Sequence, residues 1–313
     1  MFASCLACSS RLRSKTKRLL LMADLVLRPW DPKTLAVDAT CLVVGKRHAG
    51  KTTLMVDLMY HMKDKLDAGI GFNPTENSTD PVLGKFLPPC FIYPRYDEEK
   101  INHVLEWQRR AVAQDKTKAM RMGLILDDCM GETNKDGTKK KVMSSGTIAK
   151  IFKIGRHRKL FFWATLQYIK DAPPDARGNT DMLFLFNIPS MSDRQKVHKD
   201  FFAMLKTVDD FNAVLEECTK GFSCLVLDTR IAMRDPLNSI FYYKAKVRHE
   251  PFTLGRPVFW KLSDKYFVDK ADNDLDVSKI LGIDNLREST DGEGRRETQI
   301  QGKKQRFTKI EQF

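Results

Sequence analysis

The segment TCLVVGKRHAGKTTLMVDLMYHM, residues 40–62, decides the fold of this 313-residue chain. Its first residues, 40–45, form an apolar run that predicts a β-strand, and an amphipathic helix is predicted directly after Gly50. Between them, residues 45–52 match the Walker A pattern G-x-x-x-x-G-K-[ST] at every fixed position. The segment therefore predicts a strand, a phosphate-binding loop (the P-loop) and a helix in direct succession.

Each fixed position of the P-loop has a chemical reason. Gly45 and Gly50 let the backbone curl so that its N–H groups face a β-phosphate, and the helix N-terminus adds the positive end of its dipole. Lys51 is expected to reach the β- and γ-phosphates, and the Thr52 hydroxyl to ligate Mg²⁺. We therefore predict binding of ATP and Mg²⁺, with nucleotide contacts from Gly45, His48, Ala49, Gly50, Lys51, Thr52 and Thr53.

A second motif, GLILDDC at residues 123–129, predicts an apolar strand that ends in two carboxylates. Such a strand places a carboxylate at the carboxyl edge of the sheet, facing the loop of the neighbouring strand. Asp127 is expected to hold Mg²⁺ and Asp128 to polarise the attacking water. Gln167, at the end of the next predicted strand, is expected to sense the γ-phosphate. Taken alone, these residues fit ordinary strand-end turns, and the P-loop is what gives them a catalytic interpretation.

Beyond these motifs, short apolar runs alternate with longer amphipathic stretches, which predicts an α/β domain with a mainly parallel central sheet flanked by helices. Further strands are predicted at residues 68–73, 90–94, 122–128, 159–167, 181–189, 221–229 and 239–247, and helices at 98–113, 147–155, 192–206 and 208–220. We assign residues 22–250 to the ATPase domain, 251–290 to a C-terminal appendage and 291–313 to a disordered polar tail.

The first 21 residues differ from the rest because they are basic and contain no acidic side chain. Their composition is typical of a transit peptide or of a nucleic-acid-binding arm. The clean start at Met22 favours a third interpretation, in which residues 1–21 are disordered or non-native.

The composition also limits the function. A formal charge of +13 indicates a polyanionic partner, nucleic acid first, or else a solvated basic surface. Seven scattered cysteines, an odd number without a framework, favour a reducing compartment. No apolar run approaches the roughly 20 residues that cross a bilayer, so we expect no transmembrane segment.

Two basic clusters fit a DNA-binding protein. Lys139, Lys140 and Lys141 lie in a loop that follows the aspartate pair, and a second run contains Arg156 and Arg158. We expect both clusters near the carboxyl edge of the sheet, where Lys139, Lys140, Lys141 and Arg158 would contact DNA phosphates. Arg156 is the preferred arginine finger, acting on the nucleotide of a neighbouring subunit. Simple solvation explains each of these side chains equally well.

The set GKRHAGKTT, NPTE, GLILDDC, GRH and FFWATLQ, in this order, resembles the genome-packaging ATPases of large nucleo-cytoplasmic DNA viruses, the poxvirus-type members of the FtsK–HerA superfamily. The resemblance covers residues 35–247. It implies a RecA-like core, a pentameric or hexameric homo-oligomeric ring, and ATP-driven movement of double-stranded DNA into a capsid or procapsid. The expected location is the host cytoplasm, the viral factory or the virion.

The same resemblance implies a role for each site residue. Lys51 and Thr52 become nucleotide contacts, Asp127 the metal residue and Asp128 the catalytic acid; Gln167 becomes the sensor and Arg156 the finger. It assigns no physical role to Glu76, the last residue of NPTE.

Four other functions agree with a P-loop to different degrees. A GTP-binding switch needs Asn-Lys-x-Asp, and the nearest match, NKDG at residues 134–137, fails at its fourth position. A small-molecule or nucleotide kinase needs a mobile lid that excludes water, which fits the Asp-Asp pair badly. The intact Lys51 and Asp127 argue against a scaffold protein with an inactive P-loop. A DNA helicase or repair translocase of the same superfamily would carry identical hydrolytic residues and stays open.

Overall fold

The structure is a computed structural model that describes residues 25–76, 81–131, 142–231 and 235–266. The predicted extension at residues 1–21, the tail at 291–313 and the basic loop residues Lys139, Lys140 and Lys141 lie outside these ranges. Of the predicted appendage, residues 251–266 are described.

The described residues form strands and helices that largely alternate along the chain. The strands are β1 (Arg28–Pro29), β2 (Thr40–Val44), β3 (Ala68–Phe72), β4 (Ile92–Tyr93), β5 (Met122–Leu126), β6 (Leu160–Leu166), β7 (Met182–Leu185), β8 (Cys224–Asp228) and β9 (Ile240–Tyr243). The helices are α1 (Lys51–Met62), α2 (Glu98–Gln114), α3 (Gly146–Ile154), α4 (Pro174–Gly178), α5 (Met191–Phe201), α6 (Val208–Cys218) and α7 (Pro257–Tyr266). Short 3-10 turns connect several of them.

Within the described residues, the strands form one nine-stranded sheet in the order β1-β9-β8-β7-β2-β6-β5-β3-β4. Only β8 among these strands runs antiparallel to its neighbours. The predicted α/β class with a mainly parallel sheet is confirmed. The expectation that the strand carrying Asp127 lies next to the P-loop strand is wrong, because β6 pairs with both β2 and β5 and lies between them.

The central strands are buried along their whole length, as expected for a mainly parallel sheet covered by helices on both faces. Every residue of β2, β5 and β6 is buried. The parallel strands β2, β3, β5 and β6 all end at the same edge of the sheet, as parallel pairing requires. This carboxyl edge is where the polar residues that follow the strands meet.

Residues 251–266 pack against the sheet rather than extending away from it. The amide of Leu254 donates to the carbonyl of Phe86 at 2.9 Å, and Arg256 Nε donates to Asp67 at 2.8 Å. Phe259, on α7, contacts the ring of Phe91 with ring centroids 4.4 Å apart. Helix α7 was not predicted from the sequence. No helix in the described part of the chain is both long and apolar enough to cross a membrane.

Candidate active site at the carboxyl edge of the sheet

The P-loop connects β2 to α1 at this edge, and both of its fixed glycines are required by the structure. Gly50 adopts φ of 106°, a left-handed conformation that side chains other than glycine rarely take. A Cβ atom on Gly45 would lie 2.9 Å from Cβ of Phe186, which is too close for any larger residue. The backbone conformation of Gly50 agrees with the expected tight turn, whereas Gly45 is required by the close packing of Phe186.

Lys51 folds back over the P-loop. Its Nζ donates hydrogen bonds to the carbonyls of Gly45 at 2.7 Å and Lys46 at 2.9 Å. Partial burial lowers the pKa of Lys51, while the nearby charges of Asp128 and Asp127 act in the opposite direction. The lysine is thus held over the P-loop, where phosphates are expected, and it feels the charges of both carboxylates.

The two aspartates are held together by Thr165, a residue that sequence reasoning missed. Its Oγ1 donates to Oδ1 of Asp127 at 2.8 Å and accepts the amide hydrogen of Asp128 at 2.9 Å. The register explains the contact: Leu126 is paired with Ala164, so Asp127 falls beside Thr165. A polar residue inside the apolar strand FFWATL was the available signal.

The two aspartates differ in environment. Asp127 is buried, and burial raises its pKa; the hydrogen bond from Thr165 lowers it, and the nearby charge of Asp128 raises it. Asp128 adopts φ of 52°, in the left-handed region, and its Oδ1 accepts a hydrogen bond from Gln167 Nε2 at 3.1 Å. The structure therefore brings Gln167 to the carboxylate that was predicted to act on water.

Glu76 organises the chain that follows β3. Its buried carboxylate accepts hydrogen bonds from the Asn73 side chain at 3.0 Å and from the amides of Val82 at 3.1 Å, Leu83 at 3.0 Å and Gly84 at 2.6 Å. The role that the sequence did not supply is thus to hold residues 82–84 at the edge of the site. Because the partners of Glu76 are mostly backbone amides, this role is not predictable from the residue types in the sequence.

The residues at the site fit Mg²⁺ when it arrives with phosphate. Among the described residues, no group of three or more His, Cys, Asp or Glu side chains is arranged to hold a metal on its own. Mg²⁺ commonly uses one or two protein oxygens and completes its shell with water and phosphate. The exposed Thr52 hydroxyl and the buried Asp127 carboxylate supply such oxygens. Burial raises the pKa of Asp127, and a bound cation would lower it again by stabilising the charged carboxylate.

A cavity of about 560 Å³ opens beside the P-loop. Its lining comprises the P-loop side (His48, Ala49, Gly50, Lys51, Thr52, Thr53), the turn before β8 (Gly221, Phe222) and the segment after β9 (Lys244, Ala245, Val247). The cavity falls within the size range of small-ligand sites. Apart from Gly45, which is buried beneath the loop, the residues predicted to contact nucleotide all line it.

The arginines predicted to act in trans or on DNA lie elsewhere. Arg156 and Arg158 occupy a 3-10 turn that is separated from the first residue of β6 by Lys159 alone, so they lie at the amino edge of the sheet. The expectation that they lie near the carboxyl edge is therefore wrong, because β6 runs parallel to β2. Arg156 forms an ion pair with Asp181, which also accepts hydrogen bonds from Thr40.

The sequence relatives of this chain are uncharacterized proteins of large DNA viruses. No family model matches it. It is 27% identical over 208 residues to an uncharacterized protein, 088R, of Invertebrate iridescent virus 3, spanning 66% of this chain and 76% of the relative. It is also 27% identical over 249 residues to an uncharacterized protein of Acanthamoeba polyphaga mimivirus, spanning 77% of this chain and 84% of the relative.

Two solved structures illustrate the likeness in three dimensions. The genome packaging NTPase B204 from Sulfolobus turreted icosahedral virus 2, in complex with AMPPCP, is 16% identical with a TM-score of 0.46, covering 67% of this chain and 100% of that chain. The pCW3 conjugation coupling protein TcpA, with ATPgS, is 10% identical with a TM-score of 0.50, covering 82% and 74%. The likeness to TcpA shows the P-loop NTPase fold. The sequence relatives are proteins of large DNA viruses, which agrees with the resemblance found in the sequence.

Proposed function

We propose that this chain is an ATP-hydrolysing motor that moves double-stranded DNA into a viral capsid. The observation that carries the hydrolytic part is the convergence of Lys51, Asp128 and Gln167 at one edge of the sheet. Lys51 bonds to the P-loop carbonyls, and Gln167 donates to the Asp128 carboxylate. A phosphate-binding loop and a polarising carboxylate at the same edge are what triphosphate hydrolysis requires.

The residues divide the reaction between them. The amides that follow Gly50 and the ammonium of Lys51 bind the β- and γ-phosphates. Asp128, oriented by Gln167, polarises the water that attacks the γ-phosphorus and accepts its proton; the bond from that phosphorus to the β–γ bridging oxygen breaks, and ADP leaves with that oxygen. Thr52 and Asp127 would hold Mg²⁺, which supplies positive charge that offsets the charge of the phosphate oxygens.

Three observations support the DNA-moving part. The curated relatives are proteins of large DNA viruses. The chain carries a formal charge of +13, which suits a polyanionic partner. The motifs of this chain, including the Gly-Arg-His that contains Arg156, resemble those of the packaging ATPases. A homo-oligomeric ring, a capsid or procapsid partner and location in the host cytoplasm, viral factory or virion belong to the same proposal.

ATP hydrolysis by the purified chain, measured with and without long duplex DNA, tests the proposal. We expect turnover that rises with duplex and disappears in Lys51→Ala. Lys46→Ala is the matched control, because the Lys46 side chain is exposed and only its carbonyl contacts Lys51. A rate of ATP hydrolysis that does not change with duplex DNA would be consistent with an ATPase but would refute the proposed DNA motor.

Packaging and repair are separated by a second measurement. A packaging motor renders added duplex resistant to nuclease when procapsids and ATP are present, whereas a helicase or repair translocase does not. Protection that is lost in Lys51→Ala, with DNA-stimulated hydrolysis equally lost, is the result expected for packaging. DNA-stimulated hydrolysis without protection would assign the chain to the helicase or repair class.

A further inference from the structure

The lining of the cavity beside the P-loop includes two apolar side chains that phosphate binding does not require. Phe222, in the turn before β8, and Val247, in the segment after β9, both line the cavity. Phe222 is 72% exposed and Val247 is 65% exposed, so neither side chain contributes much to the core. Two apolar side chains from separate segments are thus directed away from the core at one cavity.

The backbone conformation at Phe222 is also unusual. Gly221 and Phe222 both adopt a left-handed conformation, with φ of 60° and 64°. A bulky residue seldom takes this conformation, and such outliers cluster at ligand sites. The Phe222 carbonyl lies 4.0 Å from the position that a Cβ on Gly50 would occupy, so the aromatic residue begins directly beside the P-loop.

The segment after β9, which includes Val247, is fixed to the P-loop helix by a buried carboxylate. Asp57, on α1, is fully buried and accepts hydrogen bonds from Tyr243 Oη at 2.6 Å, the Lys246 amide at 2.9 Å and Arg248 Nε at 2.7 Å. These contacts hold the segment that includes Val247 on the same helix that begins at Lys51. The cavity is therefore pre-formed around the P-loop.

We propose that Phe222 is the platform on which the base of the bound nucleoside triphosphate stacks, and that the site does not distinguish adenine from guanine. The inference rests on the proposed function, since it needs phosphates in the P-loop. Aromatic rings bind every base because each base has a π-face. Among the described lining residues, none carries a carboxylate or carboxamide side chain. A carboxylate, which could accept from both Watson–Crick N–H groups of guanine at once, is therefore missing from that lining, and without such a group discrimination is weak.

Binding of two ligands to the full chain in the presence of Mg²⁺ tests the stacking. The ligands are ATP and inorganic tripolyphosphate, which occupies the P-loop but has no base. We expect Phe222→Ala to weaken ATP binding by about 5- to 150-fold, the range of base–aromatic stacking, and to leave tripolyphosphate binding within about twofold. Phe222→Tyr, which keeps the ring, should bind ATP like the wild type.

The outcomes separate the two proposals. Equal losses for ATP and tripolyphosphate in Phe222→Ala, or no loss of ATP binding, would overturn the stacking while leaving the ATPase in place. Failure of the wild type to bind either ligand would overturn the proposed function and the stacking with it. For base selectivity, kcat/KM for ATP and GTP should agree within about tenfold. A preference above about tenfold would overturn the second half of the inference.

Discussion

Replacement of Thr165 by valine tests how the two aspartates are positioned. Valine keeps the shape of threonine and removes only the hydroxyl that bonds to Asp127 at 2.8 Å and to the Asp128 amide at 2.9 Å. Thr165 is buried, so no water replaces the lost partner readily. Both polar groups are then left without their threonine partner.

The expected loss of stability follows from these contacts. Leaving a buried donor or acceptor without a partner costs about 1–3 kcal/mol, and partial relaxation reduces the sum of two. We expect Thr165→Val to lower the free energy of unfolding by about 2–4 kcal/mol. Thr165→Ser keeps both hydrogen bonds and removes one methyl group, so it should lower the same quantity by only about 1 kcal/mol.

The pH dependence gives a signature that loss of packing alone would not produce. The Thr165 hydrogen bond lowers the pKa of Asp127, against the burial that raises it, so valine should raise this pKa further. A raised pKa in the folded state means that stability falls as pH rises through that pKa. The cost of Thr165→Val should therefore be smaller in acid, where Asp127 is protonated, and larger at neutral pH.

Urea unfolding and ATP turnover, each measured across pH, provide the assay. We expect the acidic limb of the kcat profile to move to higher pH in Thr165→Val, because a protonated Asp127 has lost its charge. The maximum kcat should fall about 10- to 100-fold as Asp128 loses its anchor. Thr165→Ser should keep the wild-type profile. If valine and serine gave the same unfolding free energy and the same profile, the bridging role of Thr165 would be refuted.

Three further predictions concern the other carboxylates and the arginine at the amino edge. Asp127→Asn should raise the free energy of unfolding by about 0.5–2 kcal/mol while abolishing ATP hydrolysis, because it removes a buried charge at neutral pH; a lower melting temperature would contradict this. Glu76→Ala should accelerate amide hydrogen exchange at residues 82–84, whose donors lose their acceptor, and unchanged exchange would show that the carboxylate does not hold the loop. Arg156→Ala should lower the free energy of unfolding by less than about 1 kcal/mol because the Arg156 side chain is largely exposed. If Arg156 acts on the nucleotide of a neighbouring subunit, mixing this variant with Lys51→Ala should restore ATP hydrolysis. Mixtures as inactive as either variant alone would exclude that role.

Local elements were predictable because their signals are local. The helix predicted at residues 98–113 is observed as Glu98–Gln114, and it begins where the Asp97 side chain accepts from the Lys100 amide. The strand predicted at residues 40–45 is observed as Thr40–Val44. In both cases the apolar pattern and the residues at the ends depend on neighbours within a few positions.

The order of strands was not predictable in the same way. The placement of β6 between β2 and β5 depends on pairing between segments more than 30 residues apart, which no local pattern encodes. This strand order is what positions Thr165 and Gln167 at the centre of the site. The partners of Glu76 and the wall formed by Phe222 were missed for the same reason, since backbone amides and cavity surfaces appear only after the chain has folded.

The sheet direction decides what Arg156 is able to do. This residue precedes the seven-residue strand β6, whose opposite end leads to Gln167. At about 3.3 Å per residue, the strand separates Arg156 from its own catalytic edge by about 23 Å, well beyond the reach of an arginine side chain. If Arg156 neutralises charge on a γ-phosphate, that phosphate belongs to another subunit. The finger predicted from the sequence and the ring implied by the resemblance are therefore one hypothesis: the role of Arg156 requires an oligomer in which the amino edge of one subunit approaches the carboxyl edge of the next.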